Sequence, residues 1–183
     1  MKLVILDRDG VINHDSDDYI KLPEEWVPIP GSLEAIARLH REGYRVVVAT
    51  NQSGVARGFF EMDTLARIHA KMLDAVRAKG GEIDAIFFCP HQPEDNCRCR
   101  KPQPGLFEEI ADRLKVNLNG VYAVGDSEHD IVAARLVSAR PVLVRTGKGK
   151  RTQKKSKVLT NVPVYDDLAA FTDDLLSGTL PAN

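Results

Sequence analysis

Asp7-Arg8-Asp9-Gly10 sets two carboxylates two residues apart directly behind the apolar run Leu3–Leu6. On an extended strand end, where side chains alternate with a period of two, both project to the same side. Two neighbouring carboxylates repel, so the pair invites a divalent cation, with Asp126 as a third oxygen ligand. A hard, incompletely caged oxygen site suits magnesium, which keeps waters and is completed by substrate phosphate. The competing reading is a capped turn. Thr50, Asn51, Gln52 and Ser53, just before Gly54, offer short polar side chains and amides of the kind that cradle phosphate oxygens. Arg100 and Lys101 add fixed positive charge. A nucleophile-grade carboxylate, a second one for proton transfer, a metal and a phosphate clamp together describe phosphoryl transfer. The cations are needed on energetic grounds. A carboxylate approaching a phosphate oxygen at about 4 Å costs roughly 4 kcal/mol per charge pair at an effective dielectric of 20. That is about three decades of rate.

Cys89-x-His91-x₅-Cys97-x-Cys99 is the most specific feature. Three thiolates and one imidazole within a short span match a closed, tetrahedral Cys₃His zinc site. The alternatives are incidental core cysteines or a redox pair. Pro90, Pro93, Asp95 and Asn96 make this a loop that a metal would order. With four protein ligands the zinc is expected to be structural, pinning the loop that delivers Arg100 and Lys101.

These residues must be held by elements with a common direction. Leu3–Leu6, 45–50, Ala85–Cys89, 121–124 and 142–144 read as buried strands. Helical stripes lie between them: Leu33, Ile36, Ala37 and Leu39 after Ser32 as N-cap; Leu65, Ile68, Met72, Leu73 and Val76; Leu106, Ile110 and Leu114 with Pro104 in the first turn; and Ile131 with Ala134. A last helix runs over 168–176. Apolar strands spaced by helices predict an α/β, doubly wound parallel sheet covered on both faces. Ligands of such sheets sit at the carboxyl ends of the strands, where every residue named above falls. The segment 148–157, six basic residues in ten with no acid, reads as a solvated loop.

Composition narrows the classes. The 183 residues predict a single domain, 1–183. Twenty-five basic against 26 acidic residues leave a net charge of −1, which argues against a dedicated nucleic-acid binder. The four-residue apolar run near the start is too short for a secretory signal or a membrane span. Three cysteines, all between 89 and 99, point to a reducing, cytoplasmic setting rather than a disulfide framework. A P-loop is absent, as is the G-x-S-x-G that a serine hydrolase built on Ser127, His129 and Asp130 would need.

Asp7-x-Asp9-Gly10, Thr50, Lys101 and Gly125-Asp126-x-x-x-Asp130, in this order at strand ends, resemble the four motifs of the haloacid dehalogenase superfamily of phosphohydrolases. The resemblance covers roughly residues 1–175. It implies a Rossmann-like core and an Asp7 nucleophile that becomes an aspartyl phosphate. It also implies Asp9 as general acid and base, and Thr50 and Lys101 as ligands of the phosphoryl oxygens. Magnesium would be held by the Asp7 side chain, the Asp9 carbonyl and Asp126, with Asp130 in support. The stretch 12–30 is too short for a cap domain. With the zinc loop, Thr50-Asn51-Gln52-Ser53-Gly54 and the following Val55-Ala56-Arg57-Gly58, the chain resembles the heptose-1,7-bisphosphate 7-phosphatases. Histidinol-phosphate phosphatases are the near relatives, and the five-residue spacer between His91 and Cys97 is similar to theirs. The resemblance implies a small phosphorylated sugar substrate in nucleotide-activated heptose (lipopolysaccharide) precursor synthesis, handled by a monomer without nucleic acid or membrane. Asp15, Ser16, Asp17 and Asp18 would approach the sugar hydroxyls. Asn51, Gln52, Ser53, Arg57 and Ser127 would line the substrate, with Arg100 on its second phosphate. A non-catalytic, zinc-stabilised phosphoacceptor module is the alternative of another class.

Overall fold

The structure, a computed structural model, describes residues 2–180. Met1 and residues 181–183, the ends of the expected 1–183 domain, lie outside the described residues. Six parallel strands form one sheet: β1 (Leu3–Leu6), β2 (Arg45–Asn51), β3 (Ala85–Cys89), β4 (Tyr122–Gly125), β5 (Arg140–Val144) and β6 (Val164–Tyr165). Their spatial order is β3-β2-β1-β4-β5-β6. The chain therefore winds one way from β1 to β3 and the other way from β4 to β6. The reversal lies between β1 and β4, paired in register from Val4 opposite Tyr122 to Leu6 opposite Val124. A crevice opens at the carboxyl ends of strands at such a reversal.

The apolar run of β1 is explained by burial on both faces. Val4 and Leu6 join a cluster with residues of α1 (Ser32–Arg41), α2 (Met62–Ala78) and α6 (Leu168–Ser177). Leu3 and Ile5 join one with Leu106, Phe107 and Ile110 of α3 (Gly105–Leu114) and Ala133 and Ala134 of α4 (Glu128–Leu136). At about 1.5–3 kcal/mol per fully buried aliphatic side chain, this strand is the anchor of the site it carries. No helix is long and apolar enough to cross a membrane among the described residues.

Three local expectations are corrected. Ser32 does not cap α1. Gly31 does, at φ +87°, a conformation that glycine adopts without a Cβ clash, and the Ser32 hydroxyl instead donates to the Val11 carbonyl at 2.8 Å. Pro104 is the cap of α3 rather than part of its first turn. The basic segment is not a solvated loop: Gly149–Lys155 forms a helix, α5, fastened to the floor of the crevice as described below. The two-residue β6 was too short to carry a periodic signal.

Candidate active site

A cavity of about 430 Å³ lies over the β1/β4 reversal. Asp7, Asp9, Thr50, Lys101, Asp126 and Asp130 all line it, so the strand-end residues converge on one crevice. Asp7 continues β1, its N–H donating to the Val124 carbonyl at 2.9 Å. Gly10 follows at φ +80°, and a Cβ there would collide with the Asp126 carboxylate. The glycine thus lets the loop after β1 close against the end of β4.

Two cation–carboxylate pairs are built into the floor. Lys101 Nζ, almost wholly buried, donates to Asp130 Oδ1 at 2.6 Å and the Ala49 carbonyl at 2.7 Å, and lies 3.2 Å from Asp7 Oδ1. The fully buried Arg8 donates to the Asp9 carboxylate through Nε (3.1 Å) and Nη2 (3.0 and 3.2 Å). Gln52 and Asn13 add donors to Asp9 at 2.8 and 2.9 Å. Arg8 is itself held by Gln52 Oε1 and by His69 Nε2 at 3.2 Å each. Because Nη1 of Arg8 can only donate, His69 accepts through Nε2 and is neutral. Burial first, then the Arg8 charge, push its pKa down to about 3.

With Arg8 assigned to Asp9 and Lys101 to Asp130, the Asp7 and Asp126 charges remain uncompensated. Burial, then the Asp130 and Asp9 charges, push Asp7 up to about 7, against the pull of Lys101 and the Arg8 N–H. Burial and the Asp130 and Asp7 charges raise Asp126 well above the carboxylate range, opposed by the Lys148 N–H. One oxygen each from Asp7, Asp126 and Asp130 lies within 4.8 Å of the others. A deficit of two positive charges among hard oxygen donors fits a magnesium ion. Asp9 differs: burial raises it, but Arg8, Asn13 and Gln52 outweigh burial and hold it below its ordinary value.

The phosphate-cradle residues split into two kinds. All four line the cavity, but Asn51 and Gln52 spend their amides on scaffolding while Thr50 and Ser53 keep their short hydroxyls toward it. Asn51 clamps the Lys101 main chain at both its N–H and its carbonyl, 3.0 Å each. Ser127 caps α4, its hydroxyl donating to Asp130 Oδ2 at 2.8 Å. From the loop after β1, Asp15, Ser16 and Asp17 reach the cavity. Asp18 and Arg57 do not: both are solvent-exposed and outside its lining.

Cys89, His91, Cys97 and Cys99 come together at the end of β3, their ligand atoms within 4.8 Å of one another. The sulfur–sulfur separations are 2.8, 3.5 and 3.5 Å, and His91 Nδ1 lies 3.3 Å from Cys99 and 3.6 Å from Cys89. A tetrahedron with zinc–sulfur bonds of about 2.3 Å has edges of roughly 3.8 Å; two sulfur–sulfur edges are close to that and the Cys89–Cys99 edge is shorter, so the four ligand atoms already converge on one point. Burial pushes the Cys89 thiol up, while at Cys97 the Arg100 N–H and the other sulfurs overcome burial and bring it down to about 7. The link to the cavity is direct, because Arg100 donates from its N–H to Cys97 Sγ and from Nη1 to the His91 carbonyl, 3.3 Å each.

A family model described as HAD-hydrolase-like matches residues 98–171. D-glycero-β-D-manno-heptose-1,7-bisphosphate 7-phosphatase of Pseudomonas putida is 54% identical over 176 residues, 96% of this chain and 100% of that one. The D,D-heptose 1,7-bisphosphate phosphatase of Bordetella bronchiseptica, solved as a complex with magnesium and phosphate, superposes with a TM-score of 0.95 at 52% identity. That match covers 97% of this chain and 99% of the other. The chain belongs to the heptose-1,7-bisphosphate 7-phosphatase family of HAD-like hydrolases.

Within this heptose-bisphosphatase framework, several cavity residues were not foreseen. Lys148, Arg151 and Thr152, from the start of α5, line the crevice. Three bonds bolt this segment down: Thr146 Oγ1 to the Gly10 carbonyl (2.6 Å), the Lys148 N–H to Asp126 Oδ2 (2.7 Å) and Thr152 Oγ1 to the Asp126 carbonyl (2.8 Å). Lys148 Nζ also pairs with Asp15 at 3.3 Å. The basic run was the available signal. Arg8 was visible inside the first motif without a role, and His69 had no signal beyond a helical stripe.

Proposed function

We propose that this protein hydrolyses the 7-phosphate of D-glycero-D-manno-heptose 1,7-bisphosphate. The observation that carries the reading is the pairing of Asp7, which shares the buried Lys101 with Asp130, with an oriented Asp9 in one crevice. Asp7 attacks phosphorus, the bond to the sugar C7 oxygen breaks, and Asp9 gives that oxygen its proton. A water then attacks the phosphorus of the aspartyl phosphate while Asp9 takes the water's proton, which frees phosphate and regenerates Asp7. Arg8, Asn13 and Gln52 hold Asp9 ionised at rest, as the second half requires. The negative charge of an arriving phosphate raises its proton affinity, so Asp9 takes a proton from solvent before the first half and returns one to solvent when the phosphate leaves. Lys101 and Thr50 hold the phosphoryl oxygens, Asp130 and Asn51 hold Lys101, and Arg100 reads the second phosphate. The Asp7 and Asp126 side chains and the Asp9 carbonyl would hold a magnesium ion, which would supply the positive charge that lets a carboxylate approach a phosphate.

A zinc ion held by Cys89, His91, Cys97 and Cys99 would be structural, since four protein ligands leave no open position. Its ordering of Arg100 ties the metal to substrate choice. One sheet running through to β6 supports residues 1–183 as a single domain. Three clustered thiols suit a reducing compartment, the cytoplasm. Histidinol phosphate is the competing substrate, but it would leave Arg100 without an anionic partner. Initial rates on heptose 1,7-bisphosphate, histidinol phosphate and simple sugar monophosphates test the reading. The bisphosphate is expected to show the highest kcat/KM, and Arg100→Ala to lower that value far more than the monophosphate values. A higher kcat/KM on histidinol phosphate, or equal losses across substrates, would overturn it. Absence of turnover on any of them would favour the phosphoacceptor module.

A further inference from the structure

A substrate with two phosphates brings more negative charge into the crevice than the catalytic floor can meet. Lys101 is committed to Asp130 and Asp7, and Arg8 to Asp9. Among the described residues, the other cationic side chains lining the cavity are Arg100, Lys148 and Arg151. Arg100 comes from the zinc loop, the other two from α5 and the residue before it. The mount of the second pair is rigid, because the main chain of Lys148 and the side chains of Thr146 and Thr152 are hydrogen-bonded to Asp126 and Gly10. Only the side chains above that mount are free to respond to a ligand.

Their present partners are informative. Arg151 is solvent-exposed and its side chain makes no hydrogen bond or ion pair among the described residues. Lys148, 41% exposed, reaches from α5 to Asp15 of the loop after β1, which is 17% exposed. A single ion pair of this exposure is weak, worth about 1 kcal/mol or less. A phosphate offers stronger, charge-assisted bonds and more acceptor oxygens. We propose that Lys148 and Arg151 join Arg100 in a cationic wall for the non-reacting phosphate, which displaces Asp15 from Lys148 and frees that carboxylate to accept hydrogen bonds from the sugar hydroxyls. The inference rests on the bisphosphate reading above and adds the residues and the exchange that select for it. The exchange also gives the acidic loop a purpose: it is neutralised by Lys148 when the crevice is empty and released only when a second phosphate is present.

The readout is the ratio of kcat/KM on heptose 1,7-bisphosphate to that on the same heptose bearing only the 7-phosphate. Lys148→Met keeps the main-chain bond to Asp126, and Arg151→Ala alters an exposed side chain, so both variants should fold; melting curves check this. Lys148→Met should lower the ratio about tenfold or more, the scale of one charge-assisted hydrogen bond. Combining it with Arg151→Ala should lower the ratio further. Asp15→Asn removes the competitor for Lys148 but keeps a hydroxyl acceptor, so it should raise the ratio. A wild-type preference for the bisphosphate that survives the Lys148 and Arg151 substitutions sinks the wall while leaving the bisphosphate reading intact. A ratio unchanged or lowered by Asp15→Asn sinks the displacement. If the wild-type ratio itself is near one, the underlying reading fails and the inference goes with it.

Discussion

Replacing Lys101 by Met separates what the buried ammonium does for the fold from what it does for the reaction. The side chains of Lys101 and Asp130 are 3% and 6% exposed, and Nζ also satisfies the Ala49 carbonyl and faces Asp7. Met roughly fills the space but removes the charge. Breaking one partner out of a buried pair costs about 3–5 kcal/mol, because the other charge is left uncompensated. For a chain of this length each kcal/mol is about 2–4 °C, so Tm should fall by roughly 6–20 °C. Activity should fall by about 10²–10³, the scale for removing one electrostatic contact to the transition state. The decisive variant is the double one, Lys101→Met with Asp130→Asn. Neutralising both partners should return most of the lost Tm, yet activity should stay low. Thermal unfolding followed by circular dichroism, with initial rates on the same preparations, gives both numbers. A Lys101→Met protein as stable as wild type, or a double variant that regains activity, would refute the pairing.

Three other expectations follow from the same geometry. Asp7→Asn should be inactive, whereas Asp9→Asn should still take phosphate slowly onto Asp7, visible by mass spectrometry as a trapped phosphoprotein; full turnover by Asp9→Asn would remove its acid–base role. Metal analysis should find one zinc per chain, and stripping it should raise hydrogen exchange over residues 89–101 while β1, β2 and β4 stay protected; loss of protection across the whole sheet would make the zinc part of the folding core. His69 is neutral in the fold, with its pKa down at about 3 against an ordinary 6.5. Between these values the unfolded chain binds the extra proton, so stability falls as pH drops from 6.5 toward 3. His69→Gln keeps an acceptor for Arg8 and should flatten that part of the pH–stability profile, and an unchanged slope would contradict the buried neutral ring.

The convergence of the proposed catalytic residues on one crevice was legible in the sequence because strand-end chemistry is local. Asp7, Asp9, Lys101 and Asp126 each follow a strand whose apolar run is plain, and parallel strands deliver their ends to one side. The proposed zinc ligands were legible for the same reason, Cys89 closing β3 and the other three lying in the loop that follows. Residues whose role depends on long-range packing were not. His69 meets Arg8 across 61 positions, on a helix face that reads as ordinary core. The helix 149–155 has few apolar residues to reveal it, and what fixes it is hydrogen bonding to Asp126 and Gly10 at a distance. Ser32 shows the limit of capping rules: Gly31 at positive φ takes the cap and leaves the serine hydroxyl to a tertiary bond.

The central claim is that Asp7 removes the phosphate on C7 and leaves the anomeric phosphate in place. Phosphorus NMR of the wild-type protein turning over heptose 1,7-bisphosphate with magnesium tests it in one experiment. The account predicts that the resonance of the C7 ester decays as inorganic phosphate grows, while the anomeric phosphate resonance persists in full. Decay of the anomeric signal instead, or of both at equal rates, would contradict it.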